Sequence, residues 1–177
     1  HSAPTLADLD GDGDLDVVVG NRSGRLELIL NQGDAKQPNW VVTNVHLFQI
    51  DVGNDSFPAL SDLDGDADLD LLVGNGKGLV ILYENKGSKT KPQFILRNTR
   101  FARSKTDGSA APALFHWNED EFADLVVGQR GGLLQLYSRT PRKNAPASSG
   151  WHLESDTWQS LRSESYSTPH FVDVDND

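Results

Sequence analysis

Asp8, Asp10, Asp12, Asp14 and Asp16 alternate with other residues over nine positions, and Gly13 sits among them. Calcium is a hard cation that takes six to eight oxygen ligands at roughly 2.3–2.6 Å. With Asp8 as position 1, carboxylates at positions 1, 3 and 5 can curl around one ion. Gly13 at position 6 suits a sharp turn. Asp14 at position 7 can give its backbone carbonyl, and Asp16 at position 9 returns a carboxylate from the start of the next strand. Without a cation, so many like charges in one short loop repel one another. Asp62, Asp64, Asp66, Asp68 and Asp70 repeat the pattern, with Asp68 contributing through its backbone carbonyl and Ala67 standing where Gly13 stood. If that position needs a positive φ, alanine costs about 1 kcal/mol there. Calcium is the ion expected in both loops, because magnesium demands tight octahedral geometry and keeps its waters. Aspartates also favour ordinary turns, but five alternating aspartates recurring one period later argue for a ligand set.

The third loop is worn. His116, Asn118, Asp120 and Asp124 fall at its ligand positions, with Glu121 at the turn. Histidine suits calcium poorly, so this loop is expected to be metal-free and held by packing, with Trp117 a candidate. A fourth set, Asp173, Asp175 and Asp177, is a weaker candidate that could bind metal if the chain continued.

The loops belong to a longer repeat. Prolines stand at 4, 58, 112 and 169, giving spacings of 54, 54 and 57 residues. Gly24, Gly78 and Gly132 keep the register, as do Asn31-Gln32-Gly33 with Asn85-Lys86-Gly87, and Trp40, Phe94 and Trp151. The three-residue insertion falls in the loop-like stretch 138–150. Within each repeat the segments are short and rich in β-formers. Val17–Val19 and Leu71–Val73 are continuous apolar runs, expected as strands buried on both faces. No window sustains a helical period. Each repeat therefore predicts about four strands, the content of one propeller blade. The expected fold is all-β: three full blades over 4–57, 58–111 and 112–168, and a partial fourth over 169–177. Three blades fall short of the usual minimum of about four for closure. The chain is therefore expected to be part of a larger propeller, completed by further blades of the same or another chain. The opening His1-Ser2-Ala3-Pro4 lacks Met and an apolar leader, so a processed or cut N-terminus is expected.

The net charge is −10, which argues against nucleic acid as a partner. Half of the 26 acidic residues are the aspartates of the first, second and fourth loops. No apolar run is long enough to span a membrane. With no cysteine, disulfides, thiolate metal sites and Cys nucleophiles are excluded.

These residues resemble the FG-GAP/VCBS repeat family, whose propellers include the integrin α-subunit head. The motif D-x-D-x-D-G-x-x-D matches at Asp8, Asp10, Asp12, Gly13 and Asp16, and again at Asp62, Asp64, Asp66 and Asp70 with Ala67 departing. The flanking Pro-x-Leu, the apolar run ending in Gly and the later Asn-x-Gly look like the bacterial VCBS form. The resemblance implies a propeller, often of seven blades, with calcium in loops between the first two strands of a blade. It also implies extracellular or exported placement, whether secreted, cell-surface or periplasmic.

Family members serve adhesion or lectin activity, or act as scaffolds beside catalytic domains. The leading expectation is a non-catalytic, calcium-stabilised module that binds a protein or a glycan. The alternative is a scaffold or part of a secreted carbohydrate-active enzyme, a polysaccharide lyase or hydrolase. No H-E-x-x-H or G-x-S-x-G pattern is present, and no catalytic residue is assigned. Trp40 and Trp151 are expected to pack between blades, whereas Trp117 and Trp158, the latter outside the repeat landmarks, are candidates for exposed sugar-stacking rings. Arg97, Arg100, Arg103 and Lys105 form a basic cluster, expected to be a solvated face, with contact to an acidic partner as the alternative.

Overall fold

The computed structural model describes residues 2–44, 47–118, 120, 122–140 and 145–171. The fold is all-β. Four strands, β1 (Ser2–Ala7), β2 (Asp16–Asn21), β3 (Leu26–Asn31) and β4 (Trp40–Asn44), form an antiparallel sheet in the order β1-β2-β3-β4. The same meander recurs as β5 (Ser56–Ser61), β6 (Asp70–Asn75), β7 (Val80–Asn85) and β8 (Phe94–Asn98). It recurs again as β9 (Ala111–Phe115), β10 (Asp124–Gly128), β11 (Leu134–Arg139) and β12 (Trp151–Ser155). Strands thus occupy the segments whose residue types predicted them. Each third strand carries a register shift at an equivalent place, Leu28/Ile29, Leu82/Tyr83 and Leu136/Tyr137. Such shifts increase local twist. The three sheets are propeller-type blades.

The first strands lie side by side, β1 against β5 and β5 against β9. Each hydrogen-bonds to only one sheet neighbour, so Pro4, Pro58 and Pro112 leave no ladder bond unmade. Gly20, Gly74 and Gly128 near the ends of the second strands explain why those prolines recur. A Cβ on Gly74 would collide with the Ala110 carbonyl and the Pro112 ring, and the other two meet Ser56–Pro58 and Ser167–Pro169 in the same way. The missing side chain lets the next blade's first strand seat directly on the previous blade. Two serines lock the seat. Ser56 Oγ accepts from the Asn21 N–H and donates to the Arg25 carbonyl, both at 2.8 Å. Ser167 Oγ does the same with the Gln129 N–H and the Leu133 carbonyl, also at 2.8 Å.

Burial follows position in the row. Strands β6 and β10 are buried throughout, as expected for strands covered on both faces. Strand β2 is not. It alternates buried and half-buried residues, because among the described residues a blade covers only one of its faces. Trp40 departs from expectation for the same reason. Phe94 packs with Leu9 and Leu47 of the blade before it, and Trp151 lies 5.0 Å from the Phe101 ring. Trp40 has no preceding blade among the described residues and is 47% exposed.

Trp158 also corrects the sequence reading. It is buried, and it takes the place held by Leu47 and Phe101 in the three short 3-10 turns, Leu47–Gln49, Phe101–Arg103 and Trp158–Ser160. It is therefore in register with the repeat. Its identity as a core residue was hidden because the three positions share size and hydrophobicity but not residue type.

The glycine contact yields a test. Gly74→Ala should destabilise the chain by about 2–3 kcal/mol, the cost of overpacking a close backbone approach, read as a lowered urea midpoint.

Candidate metal centre

The Asp loops join the first and second strands of each blade, as the resemblance implied. Alternation gives each loop two sides. Leu9 and Leu63 point inward and are buried, 4% and 0% exposed, and the aspartates on either side of each leucine are less buried. The loop then curls on its own carboxylates. Asp8 Oδ1 accepts from the Gly11 N–H at 2.7 Å and Oδ2 from the Gly13 N–H at 3.2 Å. Asp62 does the same with Gly65 at 2.7 Å and Ala67 at 3.0 Å. Asp12 accepts from the Asp14 N–H and Asp66 from the Asp68 N–H.

This curl requires left-handed backbone at position 6. Gly13 has φ +94° and Ala67 has φ +71°. The strain expected for Ala67 is thus present. It has no steric cause outside its own backbone, since a Cβ on the equivalent Gly13 would meet nothing within 4 Å.

Two groups of carboxylates converge. Asp8, Asp10 and Asp16 offer oxygens all within 4.8 Å of one another, and so do Asp62, Asp64 and Asp66. Two ligands of one calcium cannot be farther apart than twice a bond of about 2.4 Å, so both groups fit within one ion's shell. The loops are not identical. Asp16 joins the first group, whereas Asp70 is absent from the second. Asp12 and Asp14 lie outside the first group. In the second loop, Asp64 Oδ1 and Asp68 Oδ1 are buried with no hydrogen-bond partner. Buried polar atoms normally have partners, and two orphaned carboxylate oxygens beside a converging trio fit a cation ligand set. Asp68 thus brings a side-chain oxygen to a place where only its backbone carbonyl was expected to serve.

The electrostatics agree. Burial, then the neighbouring carboxylates Asp16, Asp12 and Asp8, raises Asp10 above the ordinary carboxylate range. Burial first and Asp66 next raise both Asp64 and Asp68. Asp70 is pushed up to about 7, mainly by burial, although two backbone N–H groups oppose the shift.

Position 9 has a role the sequence reading missed. Asp16 is fully buried and accepts from the Leu9 N–H and the Asn31 N–H, both at 2.9 Å. Asp70 takes Leu63 at 3.2 Å and Asn85 at 2.9 Å. Asp124 takes Trp117 at 3.0 Å and Arg139 at 3.2 Å. The same aspartate therefore ties loop to third strand in all three blades, including the worn one. Its survival in the third repeat was the available signal.

Asn31 and Asn85 form a second brace. Each side-chain oxygen accepts two backbone N–H groups across the following hairpin: Gly33 and Asn39 in one, Gly87 and Gln93 in the other. The third blade has Arg139 at this place. Arg139 is buried, lies 5.4 Å from the Trp151 ring, and donates to the Ser149 carbonyl. Burial pulls its pKa down, while Asp64, Asp70 and Asp62 of the second loop oppose that pull. A permanent cation from the next blade thus adds to the field at the second loop.

The third loop shows no carboxylate trio among the described residues. Asn118 and Asp120 cap turns. Trp117 packs edge-on against Trp158 at 5.1 Å while remaining 46% exposed, and Phe115 stacks on Phe171 at 3.9 Å. Asp173, Asp175 and Asp177 lie outside the described residues.

Residues 8–73, from the first Asp loop to the second blade's β6, match the family model described as FG-GAP-like repeat. No curated protein matches the chain. The FG-GAP-like match spans both converging carboxylate groups but not the worn third loop, so sequence similarity and site geometry set the same limit.

Two outcomes test this description. Ala67→Gly should stabilise the chain by up to about 1 kcal/mol by relieving a left-handed alanine, measured as a raised urea midpoint. The second concerns pH in metal-free buffer. Asp70 holds its proton more tightly when folded, so between 3.8 and about 7 the folded chain binds more protons than the unfolded one. That contribution is fully present below the unfolded pKa and is lost as pH rises through the folded pKa. Thermal midpoints with excess chelator should therefore lose this contribution as pH rises through the window, and Asp70→Asn should flatten the slope. Equal slopes in both proteins would contradict the assignment.

Proposed function

We propose that this chain is a calcium-stabilised, non-catalytic propeller module of an extracellular or exported protein, serving to bind a protein or glycan partner. The observation that carries the reading is the convergence of carboxylates in two successive loops, with two buried oxygens in the second left without partners. Asp8, Asp10 and Asp16 would hold one ion. Asp62, Asp64 and Asp66 would hold another, with Asp68 adjacent. A bound cation supplies the positive charge that like-charged side chains lack. The chain's own part is to pre-curl each loop through Asp8 and Asp62, and to fix its far end through Asp16 and Asp70. Ligand-dependent stabilisation of the folded state then follows from mass action.

Further blades are part of this reading. Leu6, Leu15 and Val42 on the first blade are each 55% exposed, and Phe122, Leu161 and Phe171 near the third are 38–48% exposed. These side chains lie on the outer blades, where additional blades of the same or another chain would cover them. The loop carboxylates are committed to ligand and bracing geometry, which favours a binding module over a hydrolase.

A site saturated at about 100 times its dissociation constant adds about 2.7 kcal/mol. Chelation should therefore lower the melting temperature by several degrees, and readdition of calcium should restore it. Metal analysis should find two calcium ions per chain, and Asp64→Asn should remove one. A chain that binds no calcium and melts identically with and without chelator would sink the proposal.

A further inference from the structure

A second candidate site, lined by no Asp-loop residue, lies at the outer boundary between the second and third blades. A cleft of about 400 Å³ is lined by Asn98, Arg100, Ala102, Arg103, Ser148–Gly150, Trp151 and His152. Its volume falls within the usual range for small-molecule sites, roughly 300–1,000 Å³. None of the lining residues is acidic, on a chain whose net charge is −10.

One wall is the turn that follows β8 and the other is the start of β12. The walls are rigid. Phe101 is fully buried beneath the turn, and its ring lies 5.0 Å from that of Trp151. Trp151 is pinned by its indole N–H to the Ala147 carbonyl at 2.9 Å. Arg139 covers the indole ring at 5.4 Å. With Phe101 and Arg139 both against the ring, Trp151 serves as wall rather than as a stacking platform.

The fold does not demand the arginines. The same turn recurs in all three blades with the same left-handed residues, Phe48 and Gln49, Ala102 and Arg103, Gln159 and Ser160. Neutral residues serve the first and third copies. At the position of Arg100 the other repeats have His46 and Thr157. Charge is therefore concentrated at one blade boundary by residue choice. Arg97 is ion-paired with Glu84, but Arg100 and Arg103 have no ion-pair partner among the described residues. Arg100 and Arg103 are solvent-exposed, as is His152.

We propose that this cleft binds a small anionic ligand of sugar size, a uronic acid or short uronate oligosaccharide, through Arg100 and Arg103. Guanidinium groups match carboxylates geometrically and form charge-assisted hydrogen bonds. Asn98, Ser148, Ser149 and His152 add donors and acceptors suited to hydroxyl groups. The inference deepens the glycan-binding part of the proposed function but does not depend on calcium.

The test is isothermal titration of the full chain at low ionic strength, in excess chelator and again in calcium. The probes are a uronic acid disaccharide, its neutral counterpart and inorganic phosphate. The uronate should bind in both buffers, at least about tenfold more tightly than the neutral sugar, since one charge-assisted contact is worth that factor, and more tightly than phosphate, which lacks the sugar hydroxyl groups for the cleft's polar residues to meet. Joint replacement Arg100→Gln and Arg103→Gln should weaken uronate binding about tenfold or more. The melting temperature should not change, and Arg100→Lys with Arg103→Lys should retain part of the affinity. Equal binding of the neutral sugar, equal binding of phosphate, or an unaffected glutamine variant would each overturn the proposal. Uronate binding seen only with calcium would also overturn it, because it would place the ligand on the metal. A chain that takes no calcium yet binds uronate in chelator would refute the calcium reading and leave this one standing.

Discussion

One buried aspartate per blade holds the architecture together. Asp16, Asp70 and Asp124 each sit at the start of the second strand and accept one backbone N–H from the loop and one from the end or exit of the third strand. A buried carboxylate is costly unless its oxygens are satisfied. These aspartates meet that condition by fixing two segments that no sheet ladder joins. The constraint is independent of metal, because the third blade keeps it where His116 and Asn118 replace the first two carboxylates of the loop. Ligand geometry in the first two loops is built on this frame, since the brace sets where each loop ends.

Blade-to-blade packing rests on a second recurring contact. A glycine near the end of one blade's second strand receives the proline-bearing first strand of the next. Loop leucines Leu9 and Leu63 and the aromatic residues of the following fourth strand close the outer part of the same interface. Hydrophobic burial between neighbours supplies the driving force, as in other repeat folds. This explains why β5, β6 and β7 of the middle blade are mostly buried while β2 of the first blade is only half covered.

The loops show how one scaffold carries different solutions to the same problem. In the first two, carboxylates converge and raise one another's proton affinity, a strained state suited to a cation. In the third, Trp117, Trp158, Phe115 and Phe171 form an aromatic cluster beside the turn. Arg139 introduces a further asymmetry, placing a buried cation in the field of the second loop where the other blades use asparagine.

Much of this was legible in the chain. Repeat spacing, strand content, the alternating aspartates and the positive-φ demand at Ala67 could all be read from residue type and period, because local geometry imposes them. What depended on partners distant in sequence could not. The sequence marked Asp16 and Asp70 only as ligands, since their backbone partners lie as many as 15 residues away. Trp40 and Trp151 occupy equivalent places, yet one is exposed and the other walled in, because burial depends on whether a neighbouring blade is present. Trp158 looked unplaced until the fold set it over the same turn as Leu47 and Phe101. The scattered Arg100, Arg103 and His152 became one cleft only when two blades met. Period and residue chemistry determine the blade and its metal loop; the stacking of blades decides which side chains are core, which are brace and which are free to meet a ligand.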